Sequence, residues 1–246
     1  MDVKELEQTL VLIKPDALKN SLTGYLLSQL NEFHTGLHFA GAKIVHVPKM
    51  LAEEHYAEHK GKTFYPSLLD YIMGHLHYHD VPWKQRVVAI IYQGPDAINK
   101  IRDVAGPTNP HEARAEKPGC IRALGTLVPI KDDSGNVVDY RMDNLIHASA
   151  NHADAEREIK LWFLPDEIPP FMQVYRTEVN KEFYYFKDGR LIREYEPDSI
   201  CFLAPGERAW ASDLEVLRKI SQGGTPAASL ESVVAKYLIN DLRIGS

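Results

Sequence analysis

Three runs of apolar and β-branched residues constrain the fold of this chain more than any other feature. Residues 9–14 (TLVLIK) form a continuous run that stops at Pro15, as expected of a buried strand. Residues 38–47 alternate along the chain, and residues 86–92 (RVVAIIY) form a third, strongly apolar run. We therefore predict three strands here, with a fourth and shorter strand over residues 144–148.

Helical spacing of apolar residues fills the intervals between the predicted strands. It occurs over residues 26–33, and Gly36 follows this segment as a typical C-terminal cap. Residues 106–119, in contrast, are predicted to form a polar loop. The other helices are predicted over residues 51–59, 65–73, 94–106 and 153–163. This order of elements predicts an α+β fold of the ferredoxin-like type. In such a split βαβ sandwich, helices cover one face of a four-stranded antiparallel sheet.

The sequence changes character after Leu164-Pro165, and Ile168-Pro169-Pro170 indicates a junction. The segment 187–190 (KDGR) predicts a β-hairpin, because Asp-Gly is typical of two-residue hairpin turns. Ser212 begins a segment with capping-box spacing, and Ser229 is expected to cap a last helix. We therefore predict two domains, 1–168 and 169–246. The second is a small α+β extension to which no motif assigns a role.

The charge of the chain limits its partners. Its net charge of −6 offers no broad cationic surface for nucleic acid or an acidic membrane, so any phosphate site must be built locally. The start of the sequence lacks a signal-peptide pattern, and the longest aliphatic runs are too short to cross a bilayer. The two cysteines indicate no disulfide framework. We expect a cytoplasmic protein without membrane or specific nucleic-acid partners.

Neither of the common phosphate-binding loops occurs in the sequence. The segment 36–43 (GLHFAGAK) comes close to a P-loop, but its lysine is one position late and no Ser or Thr follows. A Rossmann fingerprint is also missing. His75, His77 and His79 alternate and leave a metal site open, although no cysteine or fixed carboxylate pattern accompanies them. Nucleotide chemistry in this chain would therefore use scattered residues.

Such scattered residues form a pattern of six short features in order along residues 8–168. They are QTLVLIKPD at 8–16, EHY at 54–56, Phe64, RDVAGPTNP at 102–110, PGCIR at 118–122 and NLIHAS at 144–149. Any one of them could arise by chance, but together they resemble the nucleoside diphosphate kinase family. The resemblance covers about two-thirds of the chain. It implies transfer of the γ-phosphoryl group from a nucleoside triphosphate to a nucleoside diphosphate.

The resemblance also implies the catalytic residues. It makes His147 the residue that is phosphorylated during ping-pong transfer, and Glu158 the carboxylate that fixes the orientation of its imidazole. Lys14 and Asn144 would hold the sugar hydroxyl, with Tyr56 beside the histidine. The chemistry agrees, because a neutral imidazole nitrogen is a competent nucleophile near pH 7 without prior deprotonation.

Further residues would bind the nucleotide. Lys14, Arg102 and Arg122 are the natural cations for the β- and γ-phosphates, and Thr108 adds a hydroxyl donor. Phe64 would offer its ring to the base, a contact of roughly 1–3 kcal/mol that tolerates any base. The family binds its nucleotide with Mg²⁺, which is coordinated mainly by phosphates and water. No dedicated carboxylate cage is therefore expected.

The spacing of Asn144 and His147 makes a local prediction. They are three positions apart, so a flat strand would point them to opposite faces. Both can reach one nucleotide only if the chain twists or turns between them. We therefore predict backbone strain beside His147.

The sequence also departs from the family pattern. Ala148 and Ala150 stand where glycine and an acid are typical, and insertions lie at about 75–85 and 126–141, the second with a turn at 132–135. The second wall of the base clamp is therefore unassigned, with Arg141 as one candidate. The insertions lie near surfaces through which typical members assemble, which argues against a standard hexamer. We expect a homo-oligomer, with dimer, tetramer and hexamer left open. A non-catalytic nucleotide-binding or regulatory assembly protein with a kinase-like domain is the alternative.

Overall fold

The structure, a computed structural model, describes residues 6–238. The chain forms two compact units, Met1–Glu158 and Ile159–Ser246. In chain order, the first unit contains β1 (Glu7–Ile13), α1 (Pro15–Lys19), α2 (Thr23–Gln29), α3 (Glu32–Thr35), β2 (His38–Val45), α4 (Lys49–His55), α5 (Tyr65–Ile72), β3 (Val87–Gly94), α6 (Ala97–Ala105), α7 (Pro110–Glu116), β4 (Thr126–Lys131), β5 (Val137–Asp143), β6 (Ile146–Ala148) and the first part of α8 (His152–Trp162).

A four-stranded antiparallel sheet in the order β2-β3-β1-β6 forms the centre of the first unit. Residues 10–13 of β1 are completely buried, which explains why this strand is a continuous apolar run and does not alternate. Leu12 pairs with Ala89 of β3 on one side and with His147 of β6 on the other. The predicted α+β, ferredoxin-like fold is confirmed. Its central strand β1 pairs with the strand that carries His147.

The predicted helix over residues 26–33 is wrong as a single element. The structure has α2 and then α3, because the Asn31 side chain accepts the His34 N–H and begins a new helix. The expected cap at Gly36 is confirmed, with a left-handed φ of 65° and an N–H that donates to the Glu32 carbonyl. Leu26 and Leu30 are completely buried in the core against the sheet.

The predicted polar loop at 106–119 is also wrong, since it contains α7. The Asn109 side chain accepts the His111 N–H, and Pro110 occupies the first helical turn, where its missing N–H costs nothing. The Asn-Pro pair was the available signal, but only Ala113 among the helical residues after Pro110 is buried. A helix this polar lacks the apolar stripe by which a sequence pattern indicates a helix.

The long insertion before β6 forms a hairpin of β4 and β5. The predicted turn is confirmed: the Asp132 side chain accepts the Ser134 and Asn136 N–H groups at 2.9 and 2.8 Å. Those hydrogen bonds lower the pKa of Asp132. The sequence did not indicate the two strands, because Pro129 lies within β4 and the segment alternates only weakly.

The second unit contains more strands than the sequence indicated. It comprises the end of α8 and then β7 (Thr177–Val179), β8 (Tyr184–Lys187), β9 (Arg190–Ile192), β10 (Ile200–Leu203), β11 (Arg208–Trp210), α9 (Ala211–Ser221) and α10 (Leu230–Tyr237). The hairpin of β8 and β9 and the Ser229 cap of α10 are confirmed. Helix α9 begins before Ser212, with Trp210 at its N-cap. None of the helices in residues 6–238 has the length and apolarity that crossing a membrane requires.

Candidate active site

A tight turn separates Asn144 from strand β6. The Ile146 N–H donates to the Asn144 carbonyl at 2.8 Å, and Leu145 between them has a φ of 68°. A leucine in this left-handed region is strained and persists only where its surroundings fix it. Here the Leu145 N–H donates to Asp16 Oδ2 at 3.0 Å, and the Lys14 N–H donates to the Leu145 carbonyl at 2.9 Å. The predicted turn and strain are confirmed.

The Lys14 side chain is buried at the end of β1. Its Nζ donates to Asn144 Oδ1 at 2.7 Å, and Asn144 Nδ2 donates to the Thr108 carbonyl at 2.9 Å. Burial and the nearby Arg122 lower the pKa of Lys14 to about 8, although Asp16 opposes the shift. Three predicted site residues therefore meet here. Thr108 is held through its backbone, and the residue is exposed.

His147 and Glu158 form the second pair. The distance between His147 Nε2 and Glu158 Oε2 is 2.8 Å. Burial acts to raise the pKa of Glu158, but the charge and hydrogen bond of His147 outweigh it and bring the pKa to about 2. The carboxylate is therefore ionised and accepts the Nε2–H. In the neutral ring the lone pair is then on Nδ1, and no hydrogen bond to Nδ1 occurs within residues 6–238.

Ser149 supports this pair, a role that the sequence did not reveal. Its hydroxyl donates to Glu158 Oε2 at 2.7 Å and accepts the Leu10 N–H at 3.1 Å. Arg157 Nη2 lies 3.5 Å from the other carboxylate oxygen of Glu158. The carboxylate that orients the imidazole is thus itself fixed by Ser149 and Arg157.

Arg122 brings a second cation to the site. Its Nη1 donates to the Gly106 carbonyl at 2.8 Å, and its Nη2 to the Ile146 carbonyl at 3.4 Å, while its buried Nε has no hydrogen-bond partner. Burial, reinforced by the positive charge of Arg102, lowers the pKa of Arg122 to about 10. Arg102 is half-buried on α6. The two guanidinium groups and Lys14 therefore concentrate positive charge beside β6.

Aromatic rings from the α4–α5 region approach the histidine. The His55 ring is 4.6 Å from that of His147, edge-on, and the Tyr56 ring is 4.5 Å from that of His55. Burial lowers the pKa of His55 well below its usual value, so this imidazole is neutral. Phe64 is half-buried, with its ring 5.5 Å from that of His59. His55 lay within a recognised segment, but its partner His147 is remote in sequence.

The alternating histidines do not converge on a metal site. His75 Nδ1 lies 3.2 Å from Asp70, whereas His77 Nε2 lies 3.0 Å from Asp143 Oδ2. Within the described residues, the one recorded group of three potential metal ligands is His55, His147 and Glu158. Two imidazoles and one carboxylate suit a transition metal better than Mg²⁺, which prefers oxygen ligands.

Arg141, the candidate second wall of the base clamp, is occupied by other contacts. Its Nε and Nη2 donate to both carboxylate oxygens of Asp143, at 2.6 and 3.2 Å, and its Nη1 donates to Ser67 Oγ at 3.0 Å. A planar guanidinium held by a bidentate pair has a fixed orientation. Arg141 therefore connects β5 to α5.

Comparisons with known proteins show the family of this chain. The sequence model described as nucleoside diphosphate kinase matches residues 7–168. The nucleoside diphosphate kinase of Thermococcus kodakarensis is 34% identical over 198 residues, which are 80% of this chain and 97% of that protein. The enzyme of the same name from Pyrococcus furiosus is 39% identical over 166 residues, 68% of this chain and 88% of that protein.

Solved structures give the same result. The Aquifex aeolicus nucleoside diphosphate kinase has a TM-score of 0.52 and 29% identity, covering 67% of this chain and 99% of that one. A Borrelia burgdorferi nucleoside diphosphate kinase with bound vanadate and ADP has a TM-score of 0.52 and 28% identity, covering 70% of this chain and 95% of that one. With the fold, the oriented histidine and the surrounding cations, these similarities show that the chain is a phosphotransferase that belongs to the nucleoside diphosphate kinase family.

Proposed function

We propose that this nucleoside diphosphate kinase transfers the γ-phosphoryl group by a ping-pong mechanism through phosphohistidine at His147. The hydrogen bond between His147 and Glu158 is the observation that carries the proposal. It places the proton on Nε2 and directs the lone pair to Nδ1, so the ring is ready to attack without a general base.

The two half-reactions are balanced without an added base. Nδ1 of His147 attacks the γ-phosphorus of a nucleoside triphosphate. An N–P bond forms while the bond from phosphorus to the β,γ-bridging oxygen breaks, and the diphosphate leaves. A terminal oxygen of a second nucleoside diphosphate then attacks the phosphohistidine, and the N–P bond electrons return to Nδ1. The proton stays on Nε2, where it is hydrogen-bonded to Glu158, and the carboxylate stabilises the positive charge that develops on the ring.

We assign the remaining site residues the roles that the family resemblance implies, and their charges and contacts support these roles. Lys14, Arg102 and Arg122 would neutralise the β- and γ-phosphates, with the exposed Thr108 adding a hydroxyl donor. The hydrogen bond between Lys14 and Asn144 supports a shared role at the sugar hydroxyl. Two aromatic residues complete the site. Phe64 would stack on the base, and Tyr56 would lie beside the histidine.

Mg²⁺ would enter with the nucleotide. The buried carboxylate of Asp16 is already engaged at the Leu145 N–H, and Asp143 is engaged by Arg141 and His77. Phosphates and water are therefore the expected ligands of the ion, which supplies additional charge neutralisation on the transferred group. Nucleoside di- and triphosphates are the proposed substrates, as ADP is a ligand of the Borrelia structure.

The organisation of the chain is proposed on similar grounds. Residues 1–168 would be the catalytic domain and residues 169–246 a smaller domain of open role, within a cytoplasmic homo-oligomer. Exposed apolar side chains at Ile44 and Phe39 of β2, 65% and 44% accessible, support contact with another copy. A non-catalytic nucleotide-binding or regulatory assembly role is disfavoured, since such a protein has no need of the oriented His147–Glu158 pair.

Phosphoenzyme formation tests the proposal directly. Incubation with ATP labelled in its γ-phosphate should give an acid-labile, alkali-stable phosphoenzyme that discharges on addition of a nucleoside diphosphate. We expect no label in His147→Ala. The matched control is His34→Ala, at an exposed histidine, which should label normally. A normal yield of phosphoenzyme from His147→Ala would refute the assignment.

A further inference from the structure

A cavity of about 580 Å³ lies outside the nucleotide site of the first unit. One wall is formed at the end of α1 by Lys19 and Ser21, and the other by the insertion between α5 and β3, including His79, Lys84 and Arg86. The volume is within the range of small-molecule sites, which is roughly 300–1,000 Å³. None of these lining residues takes part in the phosphoryl transfer described above.

The insertion wall is a defined structure. Gly74 has a φ of 83°, and a Cβ added there would lie 3.0 Å from the Gln85 Cα, so the two ends of the insertion meet closely. The Gly74 carbonyl accepts the N–H groups of His77 and Tyr78 at 3.2 and 3.0 Å, and Gln85 Nε2 donates to the Tyr78 carbonyl at 3.0 Å. A wall fixed in this way loses little conformational freedom when a ligand binds.

The charge of the cavity is opposite to that of the chain. Lys19, Lys84 and Arg86 contribute three cations against one carboxylate from Asp80, in a protein with a net charge of −6. No ion pair is recorded for any of the three cations in the part of the chain that the structure describes. The Arg86 guanidinium donates only to the Trp83 carbonyl, at 3.2 Å. Three unneutralised cations around one cavity favour an anion, since their mutual repulsion falls when it binds.

Each wall of the cavity contains a residue that is connected, through the chain or through a contact, to the Lys14–Asn144 pair. Lys19 ends the short helix α1, which begins directly after Lys14. His77, on the other wall, contacts the Asp143 carboxylate at 3.0 Å, and Asp143 directly precedes Asn144. The cavity is therefore close in the chain to the catalytic residues while presenting a separate set of cations.

We propose that this cavity binds a small phosphorylated anion at a site distinct from the nucleotide site at His147. The phosphate group is the chemistry that the three cations recognise, because Lys and Arg both donate charge-assisted hydrogen bonds to its oxygens. The Ser21 hydroxyl can add a further donor. The size of the cavity accommodates a diphosphate or a phosphorylated metabolite as well as inorganic phosphate, and the experiment distinguishes these sources.

Calorimetric titration with inorganic pyrophosphate tests the proposal on the full chain. We expect two binding sites per wild-type chain and one in Lys84→Ala/Arg86→Ala, with affinity at the cavity reduced at least tenfold. The charge-conserving Lys84→Arg/Arg86→Lys variant should bind at both sites. The matched control, Lys131→Ala/Lys219→Ala, removes two exposed lysines elsewhere and should also retain both sites.

An equal number of pyrophosphate sites in the wild type and in Lys84→Ala/Arg86→Ala would overturn the proposal. Lys19→Ala, at an exposed position ending α1, provides an independent variant if the double substitution impairs folding, and it should also weaken the second site. Repeating the titration with inorganic phosphate and with a sugar phosphate then separates the sources. The proposal does not depend on phosphorylation of His147, because His147→Ala should keep the cavity site.

Discussion

Lys14 in the proposed site changes its charge at moderately alkaline pH. Its pKa is lowered to about 8, so the ammonium is present below that pH and lost above it. We expect kcat/KM, which reports the free enzyme, to fall as the pH rises through about 8. The phosphates of the substrate ionise near pH 6 and do not account for such a decline.

A pH profile of kcat/KM between 6 and 10 measures this effect. In Lys14→Arg the cation persists at higher pH, so the decline should move upward, whereas Lys14→Gln should be less active at every pH and lack the decline. A wild-type profile that is level up to pH 9.5 would contradict the expected role of the Lys14 ammonium.

Individual residues also show what the sequence could and could not predict. The resemblance identified His147 and Glu158, and the geometry joins them at 2.8 Å. Ser149 and His55 lay inside recognised segments but received no role. The hydroxyl of Ser149 accepts an N–H from a residue 139 positions away, and no local pattern encodes such a contact. The turn at Leu145 was predictable, because it follows from geometry within four residues.

At the scale of elements, the turn between β5 and β6 depends on Asp16 of α1. The Asp16 carboxylate accepts the Leu145 N–H at 3.0 Å and thereby holds a strained φ of 68°. We expect Asp16→Ala to lose about 1–3 kcal/mol of unfolding free energy, because a buried donor is left without an acceptor. It should also lower kcat, since the same turn positions Asn144.

Urea denaturation and a phosphotransfer assay together test this dependence. Asp16→Asn keeps an oxygen that can accept the Leu145 N–H and is the matched control, with a smaller expected loss. Equal and negligible effects of the two substitutions would show that the turn does not require Asp16.

The elements differ in how well they could be predicted, and for physical reasons. β1 and β3 are continuous buried runs, and their extent was close to that predicted. α7 was missed because its residues are mostly exposed, so an Asn-Pro cap was its sole signal. β7 and β11 are three residues each and pair with one another, far apart in sequence. Strands this short carry no period that a sequence pattern can reveal.

At the scale of the whole molecule, helix α8 belongs to both compact units. Its first part carries Glu158, and the division between the two compact units falls after that residue, within the helix. In the second unit, Trp210 Nε1 donates to the carbonyl of the buried Phe163, directly after α8, at 2.9 Å. The end of α8 is thus held by the second unit, whereas its first part positions Glu158 against His147.

Truncation after Ile168 should therefore also destabilise the residues that remain. We expect an unfolding free energy lower by about 3 kcal/mol, from exposure of buried aromatic surface at the end of α8, and a melting temperature lower by roughly 6–12 °C. The rate of His147 phosphorylation should also fall, because α8 would fray toward Glu158. Thermal denaturation and labelling with ATP measure both effects. Trp210→Phe in the full chain removes the donor to Phe163 and part of the buried ring, and it should give a smaller change of the same sign. A truncated chain as stable and active as the full one would instead mean that residues 169–246 act independently of catalysis.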